Sequence, residues 1–269
     1  MAARATGLRL LPLLCLATLG ACVSLEEAPM APDAVQGTPR TVVIVFASPG
    51  PAMSESSSNL DQAAKVVPGL GLMLKASQNQ RDRAASQDLQ QLLPAWQPAE
   101  LFGPILMREL ASSGWPGPLL TPAEAGLAPQ TLQGLNRADD ALDWQVRYCA
   151  LSAGSKAPPA PRDYSALPPL KDSLVLEVNL VYGAPSDGEG SWTPELSSVT
   201  KLYRVGDMKL LWRHEDVVDD KAGKRRSDEF KKQPADLIAK CQGLMPSLAQ
   251  ALAGSVRKNL QEAARRRVD

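Results

Sequence analysis

Residues 174–182 read Leu-Val-Leu-Glu-Val-Asn-Leu-Val-Tyr, and their alternation decides the fold. Leu174, Leu176, Val178, Leu180 and Tyr182 recur at period two, while Glu177 and Asn179 fall between them. That pattern predicts a half-buried strand. Downstream, residues 183–192 hold Gly183, Pro185, Asp187-Gly188 and Gly190, a turn-rich connection. A second strand is expected over 195–205, a tight turn at Gly206-Asp207, and a third strand over 208–217. Short connections of this kind favour an antiparallel meander. Trp192 and Trp212 flank the second and third strands and are expected as a cross-strand core pair. The chain closes with Leu237, Cys241, Leu244, Leu248, Leu252, Val256 and Leu260, an apolar stripe at helical spacing over about 235–264. Pro246 should kink or divide that helix.

Upstream the pattern changes. Residues 41–47, TVVIVFA, are a continuous β-branched run ended by Ser48-Pro49-Gly50-Pro51. A run without alternation suggests a strand buried on both faces, with a parallel neighbour. Helical patterns follow at about 78–93 and 98–112, the second ended by Gly114. Residues 115–120, WPGPLL, hold two prolines and fit only an edge strand or loop. Thr121-Pro122-Ala123-Glu124 reads as the start of a helix reaching about Asn136. Residues 155–172 are proline-rich and read as loop. Together these elements predict an α/β (or α+β) fold. It is a single sandwich domain over 41–269, with a mixed sheet and a C-terminal antiparallel meander packed by helices.

Composition narrows the function. Among 269 residues, 29 Lys and Arg balance 29 Asp and Glu, which argues against a nucleic-acid binder. Aromatics at 4% disfavour stacking platforms for bases or sugars. One histidine excludes metal sites built from several.

The amino terminus decides the compartment. Residues 1–9 carry Arg4 and Arg9 and no acid, and residues 10–21, LLPLLCLATLGA, form an apolar core too short to span a bilayer. The core ends in Leu19-Gly20-Ala21-Cys22. This stretch resembles the lipobox of bacterial lipoprotein precursors. The resemblance implies a signal peptide over 1–21, cleavage before Cys22, and diacylation of its sulfur. Each buried methylene contributes roughly 0.8 kcal/mol, so two or three acyl chains anchor a protein stably. Val23, rather than Asp, follows Cys22, which by the same resemblance favours the outer membrane. Residues 22–40, with three prolines and no period, read as a lipidated flexible tether. Eighteen such residues span roughly 20–25 Å. Removing Arg4 and Arg9 leaves 27 basic against 29 acidic residues. Cys149 and Cys241 remain as thiols in an oxidising space, either paired in a disulfide or buried separately.

Candidate chemistry is sparse. His214, the only histidine, lies in RHEDVVDD, where a Ser-His-Asp triad would have to use it. No G-x-S-x-G is present. Glu215, Asp216, Asp219 and Asp220 do not match a Ca loop, and Lys221 and Lys224 interleave. Pro68-Gly69-Leu70-Gly71 is half of a dinucleotide fingerprint, with Leu74 in place of its third glycine. Lys224-Arg225-Arg226 and Arg265-Arg266-Arg267 could meet lipid phosphates, but read better as solvated groups. No catalytic residue, metal or cofactor is assigned. Residues 66–74 and 101–107 are the stretches that could line an apolar cavity.

The order of elements over about 41–260 resembles the envelope lipoproteins akin to the amino-terminal domain of TolB, the curli-secretion lipoprotein and the auxiliary lipoproteins of ABC transport systems. The VVIV-type first strand, the LVLEV strand, KLYRV, KLLW and the final amphipathic helix carry the likeness. The insertion at 138–172 departs from it. The resemblance implies an outer-membrane lipoprotein with a binding, scaffolding or assembly role. It would face the periplasm or the cell surface, held by Cys22 and meeting envelope protein partners. An envelope hydrolase using His214 and a carrier of lipid or another hydrophobic ligand are the alternatives.

Overall fold

The computed structural model describes residues 28–36, 39–54, 84–136, 162–186 and 190–266. The run Thr41–Ala47 forms β1, buried along nearly its whole length. Ser48-Pro49-Gly50-Pro51 interrupts it, and β2 resumes at Ala52–Ser54. Residues 84–92 are helical and form α1. Then come α2 (Pro98–Ala111), β3 (Leu119–Leu120) and α3 (Pro129–Leu135). The carboxy-terminal part holds β4 (Leu174–Pro185), β5 (Ser191–Trp192), β6 (Glu195–Arg204) and β7 (Lys209–Asp219). β8 (Arg225–Arg226), α4 (Ser227–Lys232) and α5 (Pro234–Arg265) complete the chain.

The main sheet has the order β3-β1-β4-β6-β7, with β2 also on β4. β1 lies parallel to β3 and β4, and β6 lies antiparallel to β4 and β7. The mixed sheet and late meander expected from alternation are therefore present. One face packs against the helices. Phe102, Leu106 and Leu110 of α2 lie four residues apart on one stripe, and with Leu237, Cys241, Leu248, Leu252 and Val256 of α5 they cover Leu176, Val178 and Leu180. The α5 helix is not divided at Pro246, which sits on its exposed side.

β1 and β2 line the same side of β4, separated by the proline-rich interruption. Gly183 pairs with Ala52, and a Cβ at Gly183 would collide with the Ala52 carbonyl oxygen. Gly183→Ala should therefore cost about 1–3 kcal/mol of stability through overpacking. The urea midpoint measures this, and an unchanged midpoint would contradict the close approach.

The second face corrects the half-buried reading of β4. Residues 174–184 are buried throughout, so Glu177 and Asn179 do not meet solvent. Ala125, Leu127, Tyr164 and Leu170 cover this face together with Val175, Val199 and Tyr203. Period-two alternation is still obeyed, but the polar positions face a second layer instead of water. Arg162, at the start of that layer, places Nη1 3.1 Å from Glu177 Oε1 and donates to Asn179 Oδ1 at 2.7 Å. Tyr164 donates its hydroxyl to Glu177 Oε2 at 2.5 Å, and Asn179 Nδ2 donates to Oε1 at 2.7 Å. Lys201 Nζ lies 3.8 Å from the same oxygen. The Arg162 guanidinium also stands 3.8 Å above the Phe46 ring. Burial alone would raise the Glu177 pKa, but Arg162, Lys201 and the two hydrogen bonds outweigh it and hold the carboxyl below its ordinary value.

Three further expectations need correction. Residues 28–36 are not a free tether. Ala28 bridges Arg213 of β7, and Ala31 N–H donates to Leu211 O at 2.8 Å. Pro32–Val35 form a 3-10 turn, and Met30 is fully buried in the helix-side core. Asp33 accepts from Arg204 and Lys209 at 3.1 and 2.9 Å. Thr121 and Glu124 do form the reciprocal bonds of a helix start, at 2.7, 2.8 and 3.3 Å. They close only a turn, because Gly126 takes φ +78° and α3 begins later, at Pro129. Trp192 and Trp212 share the core but do not face each other: Trp192 pairs with Arg225 and Trp212 with Leu202.

Candidate functional site

Among the described residues, a concave site lies beside the sheet at each edge. At the β7 edge, period-two geometry places Trp212, His214 and Asp216 on one face, opposite Leu202, Thr200 and Ser198 of β6. The Trp212 and His214 rings stack with centroids 5.7 Å apart and planes 9° apart. Ser255 of α5 donates to Asp216 Oδ1 at 3.0 Å, and His214 Nε2 lies 3.5 Å from that same oxygen. A nucleophilic serine requires its hydroxyl on the imidazole. Here the carboxylate stands between them and Ser255 points at the carboxylate. Asp216 Oδ2, Ser198 Oγ and Thr200 Oγ1 are buried without a hydrogen-bond partner among the described residues. In front of this group opens a pocket of about 220 Å³, lined by Ala28, Trp212, His214, Ser255, Lys258 and Glu262 among others.

The acidic knot of the sequence is dispersed by the same geometry. Asp216 points into the structure, Asp219 lies 3.9 Å from Lys221, and Asp220 caps a turn at Gly223 while holding Lys240 Nζ at 3.3 Å. No cluster of three metal-ligating side chains occurs among the described residues. The basic groups are spread as well: Arg225 pairs with Asp236 at 3.3 Å and Arg226 with Asp228 at 3.4 Å.

The other site lies beside β1. In its ladder the even residues face β4, since Ser48 N–H donates to Leu180 O and Leu174 N–H to Arg40 O. Odd residues face outward, and Thr41 N–H donates to Pro118 O at 2.9 Å. β3 pairs only Thr41 and Val42, and Asn136 Nδ2 donates to Ala47 O at 3.4 Å. Between these points no strand pairs with the edge among the described residues. An apolar pocket of about 340 Å³ lies there, lined by Val43, Val45, Ala99, Gly103, Met107 and Leu132 among others.

No family model matches the chain, and no curated protein matches it. Solved structures that are similar to it include the following two. Protein XCC0632 from Xanthomonas campestris, of the DUF330 family, aligns with TM-score 0.38 and 11% identity, covering 88% of this chain and 97% of its own. The hypothetical protein CT253 from Chlamydia trachomatis aligns with TM-score 0.35 and 14% identity, covering 83% and 98%.

The cysteines separate by position. Cys22 and Cys149 lie outside the described residues. Cys241 is a buried free thiol whose Sγ donates to Glu195 O at 3.7 Å, and burial foremost pushes its pKa up to about 12. Alkylation of Cys241 at pH 8 should therefore run at least about a hundredfold slower than at an exposed cysteine. Peptide mapping after timed iodoacetamide exposure measures this; fast labelling of the native protein would refute the burial. No described helix is long and apolar enough to cross a membrane.

Proposed function

We propose that the chain is a lipid-anchored protein of the bacterial outer membrane with a non-catalytic role, holding partners in the envelope. The observation that carries this reading is Leu19-Gly20-Ala21-Cys22 behind a basic start and a twelve-residue apolar core. Two features of the structure support the non-catalytic part. His214 and Ser255 address the same carboxylate rather than each other. Glu177, the most enclosed carboxylate among the described residues, is committed to Arg162, Tyr164 and Asn179. The outward-facing stretch of β1, with an apolar pocket beside it, suits recognition by strand addition.

The pocket also favours a second reading, a carrier of a hydrophobic ligand. Gly103, Pro104 and Met107, from the 101–107 stretch, line it, and its size falls in the range of small-molecule sites.

Mass spectrometry of the mature protein should show acyl mass on Cys22, and Cys22→Ser should move the protein from the membrane to the soluble fraction. An unmodified terminus elsewhere refutes the anchor. The purified mature protein should turn over no ester, amide or glycoside substrate; a hydrolytic activity that His214→Ala abolishes with an unchanged fold would favour the envelope hydrolase instead.

A further inference from the structure

The docked amino-terminal segment fixes where the anchor enters. Ala28 N–H donates to Arg213 O at 3.2 Å and Arg213 N–H returns a bond to Ala28 O at 3.0 Å. Cys22 precedes Ala28 by six residues, so even a fully extended chain keeps it within about 20 Å of β7. The polar pocket of about 220 Å³ opens at Ala28 itself. Of the two pockets described above, it is the one nearer the anchor.

Two opposite charges line it, one on the exposed and one on the half-buried side of α5. Lys258 and Glu262 stand one helical turn apart on α5, and both line the pocket. Side chains at this spacing are within reach of each other. Yet among the described residues neither the Lys258 ammonium nor the Glu262 carboxylate has an ion-pair or hydrogen-bond partner. The stacked Trp212 and His214 rings form its floor, and Asn259, whose amide donates to Ser255 O, lines the wall. Opposite charges facing one pocket, without neutralising each other, complement a ligand that carries both signs.

We propose that this pocket receives the phosphoethanolamine headgroup of a phospholipid in the leaflet that holds the Cys22 acyl chains. The phosphate lies toward Lys258 and the ammonium toward Glu262. The membrane placement rests on the lipid-anchor reading; the charge complementarity does not. Such a contact would hold the β7 edge against the bilayer and leave the β1 edge turned away from it.

The only histidine supplies a probe, because a tag-free protein shows one set of imidazole NMR signals. Titrating the soluble Cys22→Ser chain with glycerophosphoethanolamine should shift those signals saturably. Glycerophosphocholine, which lacks ammonium donors, and inorganic phosphate should shift them several-fold less. Lys258→Ala, an exposed substitution, should abolish the saturation with the fold unchanged by circular dichroism. No saturable shift, or equal shifts with inorganic phosphate, overturns the headgroup site even where Cys22 carries acyl mass. In a second arm, the acylated protein in phosphatidylethanolamine nanodiscs doped with a headgroup nitroxide should show strong broadening of the same signals. Absence of broadening there overturns the membrane placement. A saturable shift in the soluble chain, with no acyl mass on the mature protein, overturns the anchor reading alone.

Discussion

Arg162→Met should lower the unfolding free energy by about 3–5 kcal/mol, the cost of leaving a buried carboxylate without its main counter-charge. Glu177 is 1% exposed, so water cannot replace the guanidinium. Arg162 also donates Nε to Leu135 O at 3.0 Å, tying the second layer to α3. Removing both charges, as in Arg162→Met with Glu177→Leu, should cost less than the single change, because the stranded charge is gone. Chemical denaturation of the single and double variants measures the difference; equal losses would show that packing, not charge, dominates. The cluster also sets an acid limit. The folded pKa of Glu177 lies below its ordinary value of 4.5. Its stabilisation is therefore complete above that value and is lost as pH falls through the folded one. In Arg162→Met that acid-dependent loss should be reduced.

Met30→Ala should cost about 2–5 kcal/mol, the range for truncating a fully buried side chain. A tether residue would tolerate the change with no measurable effect. Met30 is fully buried among core residues that include Trp212 and Ala263. The thermal midpoint of the mature protein decides between the two descriptions, and an unchanged midpoint would restore the tether. Asp33→Ala gives a milder companion, since its partners Arg204 and Lys209 are half-exposed.

Met30 and Glu177 mark where sequence reading stops. The sheet was legible because Leu174, Leu176, Val178, Leu180 and Tyr182 repeat at a period only a strand satisfies. The helix stripe from Leu237 to Val256 was legible for the same reason. Met30 was not, because one apolar residue between prolines carries no period, and its burial comes from β7, nearly two hundred residues later. The burial of Glu177 was hidden in a different way. Alternation shows that it faces away from Leu176, but not that residues 162–170 cover that side. Arg162, in a proline-rich stretch, gave no sign of its partner. The opposition of Lys258 and Glu262 could be found from helical spacing alone, but that they line the pocket at Ala28 depends on the fold.

The docked segment has one more effect, on the order of events in folding. Ala28–Met30 complete the β7 edge, and the last turns of α5, through Ala263, complete the core around Met30. β1 likewise waits for β4, more than 130 residues further along the chain. Contacts this far apart in sequence form late and slowly. The first residues of the domain therefore gain their final neighbours only after the last helix has been made, and a nascent chain stays threadable for the whole of its synthesis. Closure of the fold by residues from both ends of the domain is thus a built-in delay in folding.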